Sequence, residues 1–139
     1  MTVQRTDIIL YNNKTYNLLS LPLDQYFEKY QGQIKPYGSR TSLYRGYYAD
    51  WLIEHDQLFL IDFWGEDARL NLEYDLSDLF PNQKKVFAKW FTGNIKIPMG
   101  KPVRSFYGGL GGFTYEHELT FVINEGNVID GRFEDTELD

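Results

Sequence analysis

A guanidinium on an apolar strand face is the first residue of this chain that calls for a chemical explanation. From Leu43 to Glu54 the side chains alternate. Arg45 therefore shares one face with Leu43, Tyr47, Ala49, Trp51 and Ile53, while Tyr44, Gly46, Tyr48, Asp50, Leu52 and Glu54 share the other. A charge on the apolar side needs an ion-pair partner, a ring to stack on or a route to solvent. Asp62, on the return strand, is the structural partner this spacing offers, and a ligand anion is the other. His117 raises a similar question. Along Phe113 to Ile123 it falls with Phe113, Tyr115, Leu119, Phe121 and Ile123, whereas Glu116 and Glu118 project the opposite way and cannot orient it. A hydrogen-bonded histidine of the core or of a cavity wall is the plain reading. If Arg45, Tyr47 and His117 lined one pocket, Arg45 would hold an anionic group and His117 would move a proton, as in a small anionic-ligand binder or hydrolase.

The carboxylates and tyrosines of the wet faces support a different chemistry. Asp50, Glu54, Glu116 and Glu118 occupy expected solvent-facing positions, and two at the right separation would serve as acid and base in hydrolysis. The simpler reading is a solvated strand face, and with Tyr44 and Tyr48 beside them these residues also make a contact surface for a protein. Tyr suits that use, offering flat apolar area and a hydrogen-bonding tip at low entropic cost.

Other motifs point to no site. Tyr107 to Gly112 is glycine-rich, but a phosphate-cradling loop needs Gly-Lys followed by Ser or Thr at a helix start. Here Gly100-Lys101 runs into Pro102, and Gly112 leads into a strand. A wide turn or bulge requiring positive φ is expected instead. His55, in a turn, is the only other imidazole, so neither a metal nor a cofactor is expected. The absence of Cys excludes a disulfide framework, a thiolate zinc site and a thiol nucleophile.

Charge bounds the partners. A net charge of −6 and a pI near 4.9 oppose binding to nucleic acid or an anionic membrane, where each phosphate contact draws on Lys or Arg. A basic protein is the better match. The segment from Met1 to Asp7 lacks an apolar core, and no stretch approaches the roughly 18 apolar residues of a membrane span, so a cytoplasmic protein is expected.

The elements that must position these residues read as follows. A length of 139 residues with 42% apolar and 24% charged composition suits a single domain over residues 1–139. Eleven Tyr, 10 Phe and 3 Trp favour pleated, ring-covered surfaces. Asn12-Asn13-Lys14 joins Asp7–Tyr11 to Thr15–Leu19 as a hairpin. Leu23, Tyr26, Phe27 and Tyr30 follow Pro22 at amphipathic-helix spacing, with Gly32 as the stop. His55-Asp56-Gln57 turns the Leu43–Glu54 strand into Leu58–Trp64. Leu76–Phe80 is a short helical turn capped by Asp75 or Ser77. Val86–Phe91 and Ile95–Met99 read as a third hairpin, Phe113–Ile123 and Asn127–Phe133 as a fourth, and Glu134–Asp139 as a frayed acidic tail. The fold class is α+β: a mostly antiparallel, twisted sheet of successive hairpins, forming a partly open barrel or small sandwich, with one N-terminal amphipathic helix.

Four segments together resemble a family of small uncharacterised bacterial proteins: Leu21-Pro22-Leu23-Asp24-Gln25-Tyr26, Tyr44 to Trp51, Trp90-Phe91-Thr92-Gly93 with Ile97-Pro98-Met99-Gly100, and Gly111 to Glu116. The resemblance implies one intact domain and carries no catalytic residue. The expected function is a protein-binding module, immunity-like or antitoxin-like, that occludes a basic partner through Tyr44, Tyr48, Asp50, Glu54, Glu116 and Glu118. The pocket of Arg45, Tyr47 and His117 is the alternative.

Overall fold

Asn12 and Asn13 both take positive φ, the conformation of a tight hairpin turn whose twist matches its strands. They join β1 (Asp7–Tyr11) to β2 (Lys14–Leu18) in a computed structural model that describes residues 3–30, 34–105 and 110–136. Pro22 then opens α1 (Pro22–Lys29), where its missing N–H costs no helical hydrogen bond. The helix ends at Lys29, short of the expected stop at Gly32, which lies outside the described residues.

The chain returns as β3 (Tyr47–Glu54), which lies parallel to β1, with Ile8 opposite Asp50 and Tyr11 opposite Ile53. A sheet built only of successive hairpins is thereby corrected. The long excursion through α1 separates β2 from β3, and a crossover of that kind is what a parallel pair requires. His55 and Asp56, both at positive φ, turn β3 into β4 (Gln57–Asp67). The register shifts between Asp50/Asp62 and Trp51/Leu60, leaving Ile61 as a bulge. Burial along β4 accordingly passes from Leu58 and Leu60 to Phe63, Gly65 and Asp67.

β4 also receives β5 (Leu72–Asp75), a strand that no alternation in the sequence marks, and β6 (Val86–Phe87). Between these two lies α2 (Leu76–Leu79). Its Asp75 carboxylate accepts from the Asp78 N–H while the Asp78 side chain accepts from the Asp75 N–H, a reciprocal cap. The expected third hairpin is also corrected. Val86–Phe87 pairs with β4, whereas β7 (Gly93–Ser105) pairs with β8 (Phe113–Asn124). The segment between them is tied down by buried Trp90 and Phe91 rather than turned back on itself. β9 (Asn127–Asp135) follows β8 through a turn with Glu125 and Gly126 at positive φ. Because Glu134 and Asp135 pair with Glu118 and His117, the strand runs past the point where a frayed tail was expected to start; residues 137–139 lie outside the described residues.

The result is a mixed, mostly antiparallel open sheet in the order β2-β1-β3-β4-β9-β8-β7, with few helices. Among the described residues no helix is long and apolar enough to cross a membrane. The core gathers Ile9, Leu18, Leu23, Tyr47, Trp51, Leu58, Leu60, Ile95, Ile97 and Ile123. α1 is fixed to it by rings: Phe27 stands edge-on to Tyr47 at 5.4 Å, Tyr26 edge-on to Trp90 at 5.1 Å, and the Trp90 indole donates to Pro22 O at 3.1 Å. Such ring pairs each contribute about 0.5–1.5 kcal/mol beyond their buried area.

Candidate functional site

The inward side of β3 explains Arg45. Alternation along β1 places Asp7 with Ile9, and both are fully buried. The Arg45 guanidinium donates from Nη2 to Asp7 Oδ1 at 2.9 Å and from Nη1 to Arg5 O at 2.6 Å. Ala49 N–H donates to the same Asp7 oxygen at 3.0 Å, and the Trp51 indole donates to Oδ2 at 3.0 Å. Burial pushes the Asp7 carboxyl up from its ordinary range, and Arg45, Trp51 and Ala49 act against it. Each of these partners is a donor, the arrangement that suits an ionised carboxylate. The guanidinium also lies 5.1 Å from the centre of the Tyr47 ring. The Tyr47 hydroxyl donates to Asp24 Oδ1 at 2.6 Å, and burial, together with the nearby Asp7 and Asp24 charges, raises its pKa.

The partner of Arg45 is therefore Asp7, not Asp62. Asp62 pairs in register with Asp50, on the opposite side of the sheet from the buried Tyr47, Ala49 and Trp51. Of the three residues proposed to line a pocket, the structure brings Arg45 and Tyr47 together and gives His117 other company. The His117 Nδ1 lies 2.8 Å from Asp135 Oδ1, and its ring packs 5.1 Å from Phe133 at the far end of β8 and β9.

The outward side of β3 and β4 has a different character. Tyr48 and Trp64 are register partners and stack at 5.4 Å with their planes 26° apart. Next to them Asp50 faces Asp62 across the two strands, at the edge of the Ile61 bulge. Tyr48, Asp50, Asp62, Phe63 and Trp64 line a shallow cleft of about 260 Å³. The Asp50 carboxyl is raised from its ordinary pKa, first by partial burial and then by the like charge of Asp62, with Arg5 acting in the opposite sense. The rings carry cations on their faces: the Arg5 guanidinium lies 3.6 Å from the Tyr48 ring centre and that of Arg40 lies 5.7 Å from Trp64. Larger clefts flank α1, but the rings of their walls are packed on one another, as in the 5.7 Å stack of Phe80 on Trp90.

The other expected contact residues do not join this cleft. Tyr44, 65% exposed, sits in the loop before β3, where its N–H donates to Gln4 Oε1 at 3.0 Å. Glu54, at the far end of β3, is paired with Lys85, which lies 4.3 Å from the Phe59 ring centre. On β8, Glu116 accepts from the Lys101 N–H at 2.7 Å, and Glu118 lies 4.0 Å from the Lys96 ammonium. The sequence reading missed Asp7, Trp64 and the pairing of Asp62 with Asp50. Asp7 had a signal, its even spacing from Ile9 and Tyr11; Trp64 had none, because the bulge resets the alternation before it.

Among the described residues no three carboxylates or imidazoles are grouped to hold a metal ion. The glycine-rich stretch is described only from Leu110 on, and there Gly111 and Gly112 take positive φ, as a wide turn requires. Compared with protein-family models, with curated proteins and with solved structures, the chain matches none of them. The resemblance of its segments to small bacterial proteins therefore assigns no role to any residue.

Proposed function

We propose that this protein is a binding module that takes a basic segment of a protein partner onto the outward side of β3 and β4. The observation that carries this reading is the facing pair Asp50 and Asp62 beside the stacked rings of Tyr48 and Trp64. Two carboxylates held against each other gain when a cation enters between them, and the rings beside them already carry the chain's own Arg5 and Arg40, the kind of contact a partner's Lys stem or Arg plane would make in their place. The chain's net charge of −6 adds long-range attraction for such a partner. Occlusion of a basic partner, in the manner of an immunity protein or antitoxin, is the use that facing carboxylates beside stacked rings fit best.

Isothermal titration with an Arg- and Lys-rich peptide, beside a neutral peptide of equal length, tests it. The basic peptide is expected to bind in a salt-dependent manner, and Asp50→Asn with Asp62→Asn together to weaken it at least tenfold. Equal affinity for both peptides, or binding indifferent to the double substitution, would count against the reading. The occlusion reading is tested by co-expression with products of adjacent genes, where a stable complex must form with the natural chain and be weakened by the same two substitutions.

A further inference from the structure

β9 is hydrogen-bonded to β8 along its length, but its other edge has little cover. That edge meets β4 through Gln57 opposite Asn127, supported by a Val128 N–H to Asp56 O bond of 2.8 Å. Among the described residues no strand pairs with it beyond that point. From Ile129 to Asp135 every residue is exposed, including two large apolar ones, Ile129 at 62% and Phe133 at 59%. A strand edge of this kind, with no strand beside it and with exposed apolar side chains, is a template for another strand. Neither proline nor lysine falls between Asn127 and Asp135, and the one bulge, at Ile129, lies before the stretch from Asp130 to Asp135.

The sequence of the edge selects its occupant. A two-fold axis relating two antiparallel strands passes between a residue and its own copy, so only registers centred on one residue are allowed. Centring on Asp130 sets that carboxylate against itself. Centring on Arg132 sets two guanidinium groups together and Asp130 against Glu134. Centring on Phe133 pairs Arg132 with Glu134 twice but leaves Asp130 opposite Thr136, whereas centring on Gly131 pairs Asp130 with Arg132 of the other copy twice over and brings Phe133 opposite Ile129. Within one chain Asp130 and Arg132 already lie on the same side of the strand, with Arg132 Nε 3.4 Å from Asp130 Oδ2. Two copies thus make a square of alternating charges. At the axis Gly131 carries no side chain, where a Cβ would meet the Phe121 ring at 3.2 Å, and its N–H, held by Asp130 Oδ1 at 2.9 Å within one chain, passes to the second copy when Asp130 turns to Arg132 of that copy. We propose that the protein forms a symmetric dimer by antiparallel pairing of β9 with β9 of a second copy, centred on Gly131.

A single strand pair is small beside the 1,200–2,000 Å² that stable interfaces bury, so the dimer is expected to be concentration-dependent. Sedimentation velocity of the full chain across a hundredfold concentration range should show a shift from the 16.4 kDa monomer to twice that mass. Arg132→Asp alone, or Asp130→Arg alone, should weaken dimerisation at least tenfold, and the charge-swapped double variant should restore it. Circular dichroism checks that each variant is folded, and hydrogen exchange of the natural chain gives an independent readout. The amides from Ile129 to Asp135 should gain protection as concentration rises. A monomer at every concentration, a dimer indifferent to the single reversals, no rescue by the swap or open-ended assembly would each overturn the proposal.

Discussion

The two sides of β3 hold carboxylates in opposite circumstances. On the inward side Asp7 is fully buried yet accepts three hydrogen bonds, each 3.0 Å or shorter, from Arg45, Ala49 and Trp51. On the outward side Asp50 is half-buried, faces another carboxylate and, among the described residues, has Arg5 acting in its favour. Burial alone does not mark a functional charge. A buried carboxylate whose partners all come from its own chain holds the fold, whereas a partly open one set against its like favours a cation from outside.

The strongest way to break this comparison is to remove each carboxylate in turn. Asp7→Ala leaves a buried guanidinium, an indole N–H and a backbone N–H without their acceptor, and a loss of about 3–5 kcal/mol in denaturant unfolding is expected. Asp50→Ala is expected to cost far less and to fall among ordinary surface substitutions, within about 0.5 kcal/mol. Equal losses would end the distinction. A smaller contrast separates the neighbouring tyrosines. Tyr47→Phe removes the bond to Asp24 and should cost about 1 kcal/mol, while Tyr48→Phe keeps the stacked ring and should change stability little.

The smallest effect sharpens the outward side by pH. Because the Asp50 pKa is raised on folding, the native state holds that proton more tightly. The corresponding stability is present below the ordinary value of 3.8 and is lost as pH rises through the folded pKa. Asp62→Asn removes one cause of the shift. The variant is expected to be more stable than the natural chain near neutral pH and to converge with it as Asp50 becomes protonated, with the Asp50 titration followed by NMR moving to lower pH. Melting curves that stay parallel across this range would mean that the two carboxylates do not interact.

Much of this arrangement was legible in the residues. The alternation from Tyr47 to Ile53 puts Tyr47, Ala49 and Trp51 inward and Tyr48 and Asp50 outward, as the structure has them, and the Asn12-Asn13 turn marks the first hairpin. Local signals of this kind report on neighbours in sequence. The parallel pairing of β1 with β3 joins Ile8 to Asp50, and nothing in either segment encodes that partner. The Ile61 bulge moves Trp64 and Asp62 out of the phase that simple alternation assigns them, which is why Asp62 was matched to Arg45. Asp7 looked like the polar start of a strand because its three donors come from the distant segment Arg45 to Trp51.

The narrow junction between β4 and β9 has a consequence for how the chain assembles. β7, β8 and β9 are contiguous in sequence and meet β4 where two turns touch, Leu58 N–H donating to Gly126 O at 2.9 Å and Val128 N–H to Asp56 O at 2.8 Å. A meander of this sort closes short loops and can zip early, whereas bringing Ile8 beside Asp50 must wait for a long loop to close. The C-terminal third of the chain is thus suited to form early as a ribbon, joined to β4 by its turn and to the end of β2 by the Leu19 N–H bond to Lys96 O at 2.8 Å.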